Sequence, residues 1–75
     1  MRKLISENIT ACGIEDFMYN ISRNEYNKIY NLIKDQDEFN EVNTEHRYSS
    51  GELVVTTDIY YNDNIIMTKF SKYKI

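Results

Sequence analysis

Residues Glu52–Ile75 read Glu-Leu-Val-Val-Thr-Thr-Asp-Ile-Tyr-Tyr-Asn-Asp-Asn-Ile-Ile-Met-Thr-Lys-Phe-Ser-Lys-Tyr-Lys-Ile, and this stretch decides the fold. Two runs rich in β-branched and aromatic residues flank Asn62-Asp63-Asn64, residue types that tolerate left-handed backbone. That pattern signals a β-hairpin. A three-residue loop would set Tyr61 opposite Ile65 and, by the strand period of two, Glu52 opposite Lys74. Leu53, Val55, Ile59 and Met67 then share a core face. Val54, Tyr60, Ile66 and Phe70 share the outer one.

Upstream, Phe39–Tyr48 alternates in the same way, with Val42, Thr44, His46 and Tyr48 on one side and Glu41, Asn43, Glu45 and Arg47 on the other. Ser50-Gly51 is a turn signal. Pairing Ser49 with Glu52 places Tyr48 beside Leu53, His46 beside Val55 and Val42 beside Ile59, which turns the acidic side chains outward. The segment therefore completes a three-stranded antiparallel meander.

The N-terminal half carries helical spacing. Ile5, Ile9 and Cys12 form one stripe ahead of Gly13, a helix-ending residue. Ile14, Phe17, Met18 and Ile21 recur at i, i+3, i+4, i+7. Ser22-Arg23-Asn24-Glu25 fits a capping box, with Ile21 and Tyr26 in the positions of a hydrophobic staple. Tyr26, Ile29, Tyr30 and Ile33 then continue a third helix that ends around Lys34–Gln36. The expected fold is α+β: three short N-terminal helices packed on one face of the meander, in a single domain spanning residues 1–75.

Composition bounds the classes of function. At 75 residues the chain forms one small core, burying about 60% of its unfolded surface. The lone Cys12 cannot form an internal disulfide, no run approaches a membrane span, and the expected setting is cytoplasmic. Asn, Ile, Tyr and Lys supply 32 of the 75 residues, as A/T-rich coding would. Net charge is −3, distributed as +1 over Met1–Lys34, −7 over Asp35–Asp63 and +3 over Asn64–Ile75. The acidity thus sits in the middle of the chain.

Signatures of catalysis are weak. His46 beside Arg47 suggests a small ribonuclease, but alternation turns the two to opposite faces, and nucleases of polyanions are generally basic. His46 reads as a partly buried structural residue. Asp35-Xaa-Asp37 opens like a calcium loop, yet Phe39 and Asn40 stand where an oxygen ligand and a glycine belong. Neither a nucleophile motif nor a Gly-rich phosphate loop occurs. The chain is read as non-catalytic, without metal or cofactor.

Two binding readings remain. In the first, Asp37, Glu38, Glu41 and Glu45 imitate a phosphate backbone, while Tyr60, Ile66 and Phe70 on the same outer face anchor a partner protein. The expected partner is a host protein, part of a nucleic-acid-binding complex with a basic groove. In size, acidity and Asn/Tyr/Ile richness the chain is similar to small phage and viral inhibitors, anti-CRISPR proteins among them. The outer sheet face could also pair two copies in a homodimer. In the second reading Arg23, Asn24, Asn27, Lys28 and Asn31 line the outward face of the third helix, as in a winged helix-turn-helix regulator that binds DNA directly.

Overall fold

Asn62 and Asp63 both hold left-handed backbone, with φ of +56° and +62°, and turn the chain tightly between its last two strands. Those strands are β4 (Glu52–Tyr61) and β5 (Asn64–Lys74). The loop is a two-residue turn of the primed type that matches strand twist, not the three-residue loop expected, so Tyr61 faces Asn64. A bulge at Ile66 absorbs the difference, because Tyr60 pairs with Ile65 whereas Ile59 pairs with Met67. From there to Glu52–Lys74 the register is the one the sequence predicts.

The structure, a computed structural model, describes residues 2–75. Its element order is β1 (Lys3–Cys12), β2 (Met18–Asn20), α1 (Arg23–Ile33), β3 (Phe39–Arg47), β4 and β5. The strands form one antiparallel sheet in the order β2-β1-β5-β4-β3. This overturns the expected three helices on a three-stranded meander and the α+β class, because the described residues are mostly β, with a single helix on a five-stranded sheet.

The correction concerns residues 3–21. In β1, Glu7, Ile9 and Ala11 point to one face, and Asn8, Thr10 and Cys12 to the other. The spacing of Ile5 and Ile9 fits a period of two as well as a helical turn. The strand wins because β5 would otherwise keep one row of N–H and C=O groups unpaired. β1 satisfies that row from Lys3–Lys74 to Ala11–Met67, with a bulge at Ile5. Gly13 does not end a helix. It opens a hairpin loop, accepting from the Asp16 N–H at 3.1 Å and donating to the Phe17 carbonyl at 2.8 Å, with Asp16 left-handed at φ +62°. The expected stripe Ile14–Phe17–Met18 is consequently exposed, and only Ile21 of that set packs against the core.

The third predicted helix is α1. Its N-cap is Ser22, whose Oγ accepts from the Glu25 N–H at 3.1 Å and donates to the Glu25 carboxylate at 3.2 Å. Lys34 is the C-cap. The helix leaves the β2 edge, crosses one face of the sheet and delivers the chain to β3 at the opposite edge. Tyr26, buried, meets Ile9, Ala11, Ile59 and Met67, with Ile21, Ile29, Tyr30, Ile33, Phe39 and Ile66 around them. Tyr26 stacks on Tyr30 at 6.0 Å, and Tyr30 meets Phe39 edge-on at 5.3 Å. The sheet face opposite α1 is open. No helix among the described residues is long and apolar enough to cross a membrane.

β3 pairs with β4 one residue away from the expected register. Tyr48 donates to the Glu52 carbonyl at 2.8 Å, closing a three-residue loop in which Gly51 holds φ +89°. Arg47 therefore faces Leu53, Glu45 faces Val55 and Glu41 faces Ile59. A one-residue shift exchanges the faces of a whole strand. Glu41, Asn43, Glu45 and Arg47 lie on the helix-bearing face, while Val42, Thr44 and His46 lie on the open one.

The cap is the local device that starts α1. Ser22→Ala should lower unfolding free energy by about 1 kcal/mol in urea melts, whereas Asn27→Ala on the exposed side should change it by under about 0.5 kcal/mol. Equal effects at the two positions would contradict the capping role.

Candidate interaction surface

The helix-bearing face is held together by charge as well as by packing. Arg23, at the start of α1, donates twice to Glu7 on β1, from Nε at 2.9 Å and Nη2 at 2.7 Å. The hydrogen bonds from Arg23 hold the Glu7 carboxyl below its ordinary 4.5. Lys69 places its ammonium 5.1 Å from the centre of the Tyr26 ring, a cation–π contact. Burial first, then the Glu41 charge, pushes the Tyr26 hydroxyl up to about 12. The same two causes raise Tyr30. Near the other end, Arg2 reaches Glu45 at 2.8 Å and lies 5.8 Å from the Tyr73 ring centre.

These contacts divide the surface that the sequence suggests. Glu41 and Glu45 belong to the helix-bearing face, Glu41 beside the core tyrosines and Glu45 paired with Arg2. Tyr60 and Phe70 belong to the open face, and Ile66 packs against the core at the β5 bulge. Asp37 and Glu38 are exposed in the α1–β3 connector, which is tied to the β4–β5 turn by the Asn62 N–H donating to the Glu38 carbonyl at 3.2 Å. The acidic and aromatic residues thus do not form one continuous outer surface. His46 is exposed on the open face, its ring edge-on to Tyr48 at 4.5 Å, rather than partly buried in the core.

The helix set is divided too. Asn24, Asn27, Lys28 and Asn31 are exposed, but Arg23 is engaged by Glu7. Among the described residues no helix precedes α1 to make a helix-turn-helix, since the segment before it forms β1 and β2.

What the topology does assemble is a charged end. The β1–β2 loop, the α1–β3 connector and the β4–β5 turn all lie at the same end of the sheet. They carry Glu15, Asp16, Asp35, Asp37, Glu38 and Asp63 against Lys34, a balance of −5. The opposite end carries Arg2, Lys3, Arg47, Lys72 and Lys74 against Glu45 and Glu52, a balance of +3. The middle holds Glu7, Glu25, Glu41 and Asp58 against Arg23, Lys28 and Lys69, for −1, which completes the net −3. Strands of ten and eleven residues extend roughly 33–36 Å, so this polarity runs along the 37 Å long axis.

The acidic end also carries a cluster of exposed apolar side chains. Ile14 and Phe17 are 105% and 70% exposed, with Met18 and Tyr19 about half exposed beside them on the same hairpin, and Leu32 near the end of α1 is 76% exposed. Sequence reasoning missed this group by assigning it to a buried helical stripe. The signal was present in Gly13-Ile14-Glu15-Asp16, whose glycine and aspartate fit a tight turn between two short apolar runs. Among the described residues no His, Cys, Asp and Glu side chains gather into a metal site, and no pocket indents the surface. Comparison with known protein families, curated proteins and solved structures finds no match.

The Glu7–Arg23 pair tests which role Arg23 has. A depressed carboxylate pKa contributes stability above the ordinary 4.5, and that contribution is lost as pH falls through the lower folded value. Arg23→Ala should therefore lower the melting temperature at neutral pH and converge on the unsubstituted protein in acid. A pH-independent difference would mean that the pair does not hold α1 to β1.

Proposed function

We propose that this chain is a small non-catalytic protein-binding module that presents its acidic end to a basic, nucleic-acid-handling protein, in the manner of small phage and viral inhibitors. The observation that carries the reading is that six of the twelve carboxylates and the most exposed apolar hairpin occupy one end of the molecule. An interface of this kind needs apolar anchors surrounded by a polar rim. Ile14, Phe17, Met18 and Tyr19 supply the anchors. Glu15 and Asp16 flank them directly, and Asp35, Asp37, Glu38 and Asp63 extend the negative field across the sheet end. Such a field attracts a positively charged groove and raises the association rate at low salt.

Direct duplex binding through α1 has less support. The helix pair it requires is absent, Arg23 is already paired, and the four remaining residues include one cation, Lys28. The open sheet face, with Tyr60, Phe70 and Val42, is a second apolar area, but its central row is polar: Thr68 donates to Asp58 at 3.0 Å.

A photo-crosslinking amino acid at position 17, with exposed position 5 near the opposite end of the sheet as control, reads the surface directly. In lysate of the source cell, position 17 should give a discrete adduct with a nucleic-acid-binding protein, and heparin should compete it away. Glu15→Lys combined with Asp16→Lys should reduce the adduct several-fold. Adducts of equal yield from both positions, or adducts insensitive to heparin and charge reversal, would overturn the reading.

A further inference from the structure

The two edges of the sheet are built differently. At one edge, β2 pairs only three residues of β1, from Thr10–Asn20 to Cys12–Met18, and the rest of β1 is interrupted by the bulge at Ile5. Short strands and bulges are ordinary protection against edge-to-edge pairing. At the other edge, β3 runs for nine residues without proline, glycine or bulge, and every one of its pairs with β4 keeps a single register. Among the described residues no other element covers its outer side.

The backbone groups on that free side can be identified. Tyr48 N–H and Glu38 C=O both point toward β4, since they bond Glu52 and Asn62. Alternation along an antiparallel strand then turns Phe39, Glu41, Asn43, Glu45 and Arg47 outward with their N–H and C=O groups. A second copy of β3 can use them only in registers that set these residues against one another. Centring the two-fold axis on Asn43 opposes Glu41 to Glu45 twice, and centring it on Glu45 opposes that carboxylate to itself. Centring it on Thr44 opposes Glu41 to Arg47 twice, Asn43 to Glu45 twice, and Val42 to His46. Centring it on His46 also opposes Glu45 to Arg47 twice, but overlaps only three residues of each strand. Among registers that overlap five or more, the Thr44 register alone turns the strand's own charges into two complementary cross-strand pairs, whereas like charges directly opposite are destabilising.

The charge of the whole molecule points the same way. Two β3 strands related by a two-fold axis run antiparallel, so the −5 end of each copy lies beside the +3 end of the other. Asp37 and Glu38, immediately before β3, come alongside the partner's turn after Arg47. We propose that β3 is a homodimerisation edge, joining two copies into one continuous ten-stranded sheet with Thr44 on the two-fold axis. The interface is isologous and closes on itself, which limits assembly to two. It leaves the acidic hairpin at residues 13–17 on the far edge of each sheet, so dimerisation and the proposed partner contact are separable.

Sedimentation velocity over a concentration series tests the register. The unsubstituted chain should rise from 9.0 kDa toward twice that mass. Arg47→Glu should remain monomeric, because it opposes like charges twice in the Thr44 register and makes every charge on the strand negative, so that no other register gains a complementary pair. Adding Glu41→Arg to it should regain the dimer. A second reading does not depend on those variants folding well. Thr44→Cys in a Cys12→Ser background should oxidise to a covalent dimer, since facing residues of a non-hydrogen-bonded pair have Cα atoms about 4.5 Å apart. Val42→Cys, which would face His46, should cross-link far less. A mass fixed at 9.0 kDa, an Arg47→Glu variant that dimerises unchanged, or equal cross-linking at positions 42 and 44 would each overturn the proposal.

Discussion

The ladder between β1 and β5 is the constraint on which the rest of the structure depends. It joins the first strand to the last, from Lys3–Lys74 to Ala11–Met67, and makes β5 the middle strand of the sheet. Without it, β2 has no strand to pair with, α1 has half of its platform, and Ile9 and Ala11 leave the core. The pairing is also the most demanding in sequence separation, so loop-closure entropy opposes it more than any hairpin. What offsets that cost is two-sided. Backbone groups along β5 find partners on both flanks, and the apolar row Ala11–Met67–Ile59 lies continuous under Tyr26.

The helix locks this arrangement from above. Its packing residues touch β1, β5 and β4 together, while Arg23 binds Glu7 at the point where α1 begins. Crossing the sheet from one edge to the other fixes where both connectors fall. It sends the α1–β3 connector to the same end as the β1–β2 and β4–β5 turns, so the charge polarity of the molecule follows from its topology. The acidic segment that is diffuse along the sequence becomes localised in space for that reason.

How much was legible follows from which signals were local. The meander, the β4–β5 register below its bulge and the Ser22 cap of α1 are all written within a few residues of one another, and the structure has them. The strand Lys3–Cys12 was not legible, because Ile5 and Ile9 satisfy two periods at once and the deciding partner lies some sixty residues away. Tertiary pairing of that kind overrides local preference. The β3 faces were misread through one loop residue: Gly51 closes a three-residue turn, and the whole strand exchanges sides. Of the candidate surface, the excess of acid in the middle of the chain was plain, but its position was not. Glu41 and Glu45 moved to the helix-bearing face with β3, and Ile14 and Phe17 emerged at the surface once their helix became a hairpin.

Residue-resolved amide hydrogen exchange along β5 tests the central claim most directly. A strand bonded on both sides protects successive amides alike, whereas an edge strand protects only alternate ones. The structure requires continuous protection from Met67 to Tyr73, together with strand-like backbone chemical shifts over Lys3–Cys12. Protection at every second residue of β5, with helical shifts over Lys3–Cys12, would show that β1 does not pair there and would contradict the account.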